Sequence, residues 1–99
     1  MPYSVNVFAR TIVEDVSAQE SIDMAVPIYP RLNDLYEGLK WRLARRPAES
    51  GVKLSRDSDK YITKTLDWSQ YNIPALRVIY SFNENETVIM AIDILPVFN

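Results

Sequence analysis

The run Ile73-Pro74-Ala75-Leu76-Arg77-Val78-Ile79-Tyr80-Ser81-Phe82 decides the fold, together with Asn83-Glu84-Asn85-Glu86 and the returning Thr87-Val88-Ile89-Met90-Ala91-Ile92-Asp93-Ile94-Leu95. Leu76, Val78, Tyr80 and Phe82 share one face at the two-residue strand period, and Arg77, Ile79 and Ser81 share the other. The segment 87–95 is dense in β-branched residues and reads as a second strand. Strict alternation puts Val88, Met90, Ile92 and Ile94 on one of its faces, and Ile89, Ala91, Asp93 and Leu95 on the other. A short polar link between two such strands makes an antiparallel hairpin. A lone hairpin is marginal in water, so the rest of the chain must supply cover for its apolar face.

Working outward, residues 60–66 alternate as Tyr61, Thr63 and Thr65 against Ile62, Lys64 and Leu66, which predicts a further strand. Residues 67–72 form a loop that carries Trp68 and Tyr71 into the hairpin. Upstream, Leu32, Leu35, Tyr36, Leu39 and Leu43 recur at i, i+3, i+4, i+7 and i+11, the stripe of a helix lying on a core. Pro30 suits the start of that helix, and Pro47 disfavours helical geometry in Arg46. Ser17-Ala18-Gln19-Glu20 has the spacing of a capping box and predicts a shorter helix over 18–26, broken at Pro27. Residues 3–10 alternate and predict a first strand, while 47–60 reads as a polar connection containing Gly51. The expectation is a single domain over 1–99, two-layer α+β in the order β-α-α-β-β-β, with helices on one face of an antiparallel sheet.

Composition narrows the function. With 99 residues, 47% hydrophobic and 24% charged, the chain is an ordinary globular sequence rather than a disordered one. It has no cysteine and no histidine, which removes disulfides, thiolate metal sites and the usual neutral-pH proton shuttle; no metal or cofactor is expected. Met1-Pro2-Tyr3-Ser4 is not the basic-then-apolar pattern of a secretory signal, and no apolar run is long enough to span a membrane, so a cytoplasmic location is expected. The net charge of -2 argues against a surface that coats nucleic acid throughout. Charge is nevertheless segregated. Arg31, Lys40, Arg42, Arg45, Arg46, Lys53 and Arg56 outnumber Asp34, Glu37 and Glu49 in the middle, and both ends are acidic.

The element order, the helix ending Trp41-Arg42-Leu43-Ala44-Arg45-Arg46-Pro47 with Gly51 and Leu54 beyond, Lys64 in the strand opened by Tyr61, and the hairpin from Leu76-Arg77-Val78-Ile79-Tyr80 to Val88-Ile89-Met90-Ala91-Ile92 together resemble the RelE/ParE superfamily of bacterial toxins. The resemblance implies a toxin held by a cognate antitoxin, acting either on mRNA in the ribosome as a metal-independent endoribonuclease or on gyrase. Arg77 and Lys64 match the family's phosphate-holding positions. Where the family carries a second basic residue after the last strand, this chain reads Leu95-Pro96-Val97-Phe98-Asn99. The implied active site is therefore a degenerate one, and a catalytically silent relative that works through protein binding is the alternative. A homodimer is a third arrangement, through the exposed sheet.

Each functional residue also has a structural reading. Arg77 would stabilise charge building on phosphorus, or form a cross-strand ion pair with Asp93; structural pairs are the commoner of the two. Without histidine, the general base of a nuclease would have to be Lys64, Tyr61 or Tyr80. Lys40, Arg42, Arg45, Arg46 and Lys53 could track an RNA backbone, although the polar face of an amphipathic helix is the usual role of such a cluster. Trp68 and Tyr71, with the apolar tail residues Val97 and Phe98, suit a protein contact. Glu14/Asp15 and Glu84/Glu86 fall in expected turns and carry no chemistry, and two distant glycines make no phosphate loop.

Overall fold

A computed structural model of the chain describes residues 9–66 and 68–95. The elements run β1 (Thr11–Glu14), α1 (Val16–Ala25), α2 (Leu32–Arg45), β2 (Val52–Lys53), β3 (Tyr61–Lys64), β4 (Leu76–Phe82) and β5 (Glu86–Ile94). One-turn 3₁₀ helices occupy Pro47–Glu49 and Ser69–Tyr71. The sheet order is β1-β5-β4-β3-β2. β2 to β5 form an antiparallel meander, and β1 lies parallel to β5 at the far edge, so the sheet is mixed. Both helices lie on one face of it, giving the two-layer α+β architecture.

The core is where the alternation of β4 places it. Leu76, Val78 and Tyr80 are wholly buried against Ala18, Ile22 and Ala25 of α1 and Leu32, Tyr36, Leu39 and Leu43 of α2. Each fully buried Leu contributes about 1.5–3 kcal/mol relative to exposure, and the stripe on α2 therefore fixes which way that helix faces. The end of α2 is latched to the sheet by hydrogen bonds. Helices leave their last carbonyls without intrahelical partners. Here the Thr87 hydroxyl donates to Leu43 O (2.8 Å) and the Arg10 amide to Ala44 O (2.8 Å). Just beyond the helix, the Tyr80 hydroxyl donates to Pro47 O (2.6 Å).

The structure corrects several expectations. β5 does not alternate throughout. Its register against β4 steps from Ile79↔Ala91 to Tyr80↔Ile89, leaving Met90 as the extra residue of a bulge. Thr87 and Ile89 therefore face the helices before the bulge, and Ile92 and Ile94 after it. Ser17 does not form a capping box, because it lies inside α1 and its hydroxyl donates to Met90 O (3.3 Å) at the bulge. The Asp15 amide donates to Ile89 O (2.9 Å), so the start of α1 is pinned to the distorted strand. Among the described residues the first strand is Thr11–Glu14, preceded by Ala9 and Arg10; the rest of the strand expected over 3–10, residues 3–8, lies outside the described residues. The connection over 47–60 contains β2, whose two residues are too few to show a period.

Candidate functional site

β3, β4 and β5 place three charged side chains in one cross-strand row on the face that, among the described residues, carries no helix. The register pairs Lys64 with Arg77 and Arg77 with Asp93. Directly opposed residues on one sheet face bring their Cβ atoms to about 4.5–5.5 Å, so the three heads share one locality. Arg77 donates from Nε (3.2 Å) and Nη2 (2.9 Å) to the same Asp93 oxygen, Oδ2. Both side chains of that pair are about half exposed, at 49% and 59%. Lys64 makes no ion pair among the described residues. Next to this row runs an apolar one, Val52, Ile62, Ile79 and Ala91, set by the same registers. A hollow of about 410 Å³ opens there, lined by Gly51, Val52, Ile62, Lys64 and Arg77.

Tyr80 does not belong to this row. It faces the helices, is fully buried, and stacks on Tyr61 with ring centroids 5.7 Å apart. Burial pushes its phenol up to about 12, with Tyr61 adding to the rise and Arg42 opposing it. A phenol so placed holds its proton and bonds the Pro47 carbonyl, so Tyr80 is a core residue. Tyr61 also faces the core side, packed on Tyr80 and Phe82.

The five basic residues expected to track RNA do not form one path. Lys40 pairs with Glu37 (3.0 Å) and Glu14 (3.6 Å) and lies over the Tyr36 ring. The Tyr36 hydroxyl in turn donates to Glu14 (2.6 Å), and burial, then that bond, push its phenol well above the ordinary range. Arg45 lies 4.1 Å over the Trp41 ring, and Arg46 pairs with Glu49 (3.5 Å). Lys53 is exposed in the edge strand β2. Arg42, alone of the five, shares with Lys64 the lining of a groove of about 500 Å³, which Leu35, Leu39, Thr65, Leu66 and Trp68 also line.

That groove continues past Trp68 into a second hollow of about 370 Å³, lined by Arg31, Asp34, Leu35, Trp68, Tyr71 and Ile73. Trp68 and Tyr71, expected at a partner contact, are brought together here with rings 5.9 Å apart. Val97 and Phe98 lie outside the described residues. The α2 side of the groove was missed in sequence, although Arg31, Leu35, Gly38 and Arg42 recur at helical spacing and form a second stripe beside the core one. Among the described residues no cluster of acidic side chains could hold a metal ion, and no helix is long and apolar enough to cross a membrane.

The chain matches no protein-family model and no curated protein. A two-layer domain with a mixed five-stranded sheet, two helices on one face and a charged row on the other defines its structural class. Among solved structures it is similar to a chain of the RelBE2 toxin–antitoxin complex of Mycobacterium tuberculosis, with a TM-score of 0.67 and 16% identity over 90% of this chain and 94% of that one. The chain therefore has the RelE-like fold.

Proposed function

We propose that this chain is the toxin of a toxin–antitoxin pair and that its uncovered sheet face cleaves RNA. The observation that carries the reading is the row Lys64–Arg77–Asp93, two cations and a carboxylate side by side on a face open to a polymer. In the proposed reaction a ribose 2′-hydroxyl attacks the adjacent phosphorus and the bond from phosphorus to the 5′-oxygen breaks. The products are a 2′,3′-cyclic phosphate and a 5′-hydroxyl. Asp93 takes the proton of the attacking hydroxyl through Oδ1, the oxygen Arg77 does not use. Arg77 neutralises the charge that builds on the phosphoryl oxygens. The Lys64 ammonium donates a proton to the departing 5′-oxygen. An exposed ion pair is worth about 0–1 kcal/mol, so a phosphate displaces Arg77 from Asp93 at small cost.

One observation favours a second reading. The Arg77–Asp93 pair is closed, and a protein that acts by binding gyrase or a regulatory partner needs no free cation there. Expression in a bacterial host separates the two. Arrest by the wild type that Arg77→Ala abolishes supports cleavage; arrest that survives Arg77→Ala supports inhibition by binding. Growth unaffected by either chain rejects the toxin reading.

A further inference from the structure

Both helices lie on one face of the sheet, and each turns a second surface away from the core. Residues three, four and seven apart share a helix face. On α1 the outward face is Val16, Glu20, Asp23 and Met24; Val16 is 66% and Met24 76% exposed. It is acidic and half apolar, and no Lys or Arg occurs from Thr11 to Pro30. On α2 the outward face is Arg31, Asp34, Gly38, Trp41, Arg42 and Arg45, exposed or half-exposed. It is basic, with Trp41 61% exposed and Arg45 stacked on its ring. Glu20, Asp23, Arg31, Arg42 and Arg45 make no ion pair among the described residues. Asp67 is the only charged side chain outside the described residues; counting it with Asp34 against the three arginines still leaves a positive face. Gly38 stands in the middle of that face, and a Cβ there would meet nothing within 4 Å. Its φ is not positive. Neither the backbone nor packing within the chain asks for glycine, which costs about 1 kcal/mol relative to Ala in a helix. A second helix crossing there does ask for it, because a missing side chain lets two helices approach closely.

We infer that the outward helix faces are the contact between two copies of this chain, α1 of each lying along α2 of the other about a two-fold axis. Charge complementarity selects the second copy. The acidic face and the basic face belong to one chain, and a two-fold axis brings both pairs together at once, so each contact is used twice. The lengths agree: α1 is about 15 Å long, and α2 rises about 16 Å from Asp34 to Arg45. Trp41 then seats against Val16 and Met24 of the second copy, while Arg42 and Arg45 meet its Glu20 and Asp23. Charge around an aromatic anchor makes the contact sensitive to salt. The inference does not rest on the toxin reading, because the row Lys64–Arg77–Asp93 lies on the other side of the sheet and stays open in the dimer.

The test is sedimentation equilibrium of the full chain from micromolar to millimolar concentration in low salt. Wild type forms a reversible dimer that added salt dissociates. Glu20→Lys with Asp23→Lys is monomeric, and so is Arg42→Glu with Arg45→Glu, since each sets like charges across the contact. An equimolar mixture of these two variants dimerises again, because the reversal on one side meets the reversal on the other. Trp41→Ala weakens the dimer roughly tenfold or more, as loss of an aromatic anchor does. Gly38→Gln weakens it too, yet melts no lower than wild type at a concentration where both are monomeric. Wild type that is monomeric throughout, species beyond the dimer that grow with concentration, a reversed variant that still dimerises alone, or a mixture that stays monomeric each overturns the inference.

Discussion

Replacing Asp93 with Asn separates the two roles open to the Arg77–Asp93 pair, since the change keeps shape and removes both the charge and the proton acceptor. Its effect on stability follows from exposure. Arg77 is 49% and Asp93 59% exposed, and such pairs contribute about 0–1 kcal/mol, so the variant melts within a few degrees of wild type. Its effect on anion binding follows from Coulomb's law. Removing a negative charge about 5 Å from a bound phosphate gains about 0.8 kcal/mol in water, which tightens binding of a non-cleavable dinucleotide roughly fourfold. Its effect on cleavage is opposite in sign. Loss of a general base costs about 10²–10⁴ in rate, so a fluorogenic dinucleotide is cut at least a hundredfold more slowly although it binds better. A cleavage rate that stays level or rises in the variant refutes the assignment of Asp93 as base and makes it a quencher of Arg77.

Other expectations follow from the core. Tyr80→Phe leaves the buried Pro47 carbonyl without its donor, which destabilises the chain by about 1–3 kcal/mol in urea melts; cleavage per folded molecule is unchanged, whereas a catalytic Tyr80 predicts its loss. Gly51→Ala forces a Cβ against the Ile62 carbonyl oxygen and to 2.8 Å from the Tyr80 hydroxyl. Backbone must shift, and the loss of about 1–3 kcal/mol should appear in the same melts. Alkaline titration reports the buried phenols. A folded-state value raised above the unfolded one gives stability that is whole below about pH 10 and is lost as pH rises toward 12. Of the six tyrosines, Tyr36 and Tyr80 therefore ionise at 295 nm only as the far-ultraviolet circular dichroism collapses; their ionisation ahead of unfolding contradicts the burial described.

β4 was legible because its alternation is complete and one face is wholly apolar, and α2 because five apolar residues hold helical spacing over three turns. The Arg77–Asp93 pairing could be read as well, since a short polar link fixes which strand lies beside β4. β5 was misread because Met90 carries no sign in sequence that it is a bulge, and one inserted residue reverses every face beyond it. Ile89 was thereby assigned to the open side, although Tyr80 opposite it belongs to the core. Tyr80 misled for a related reason: its hydroxyl looked available until Pro47 was seen to accept from it. The groove escaped because it belongs to no single element. Trp68 and Tyr71 were noticed, but only tertiary packing sets them across from Leu35 and Arg42.

The central claim is that a guanidinium on the uncovered sheet face acts on RNA phosphate. Primer extension on an mRNA translated in a bacterial cell-free extract tests it most directly, with wild type, Lys64→Ala and Arg77→Ala each added at equal folded concentration. New internal 5′ ends with wild type, weakened by Lys64→Ala and absent with Arg77→Ala, are the predicted result. Intact message with wild type, or the same ends with Arg77→Ala, contradicts the account.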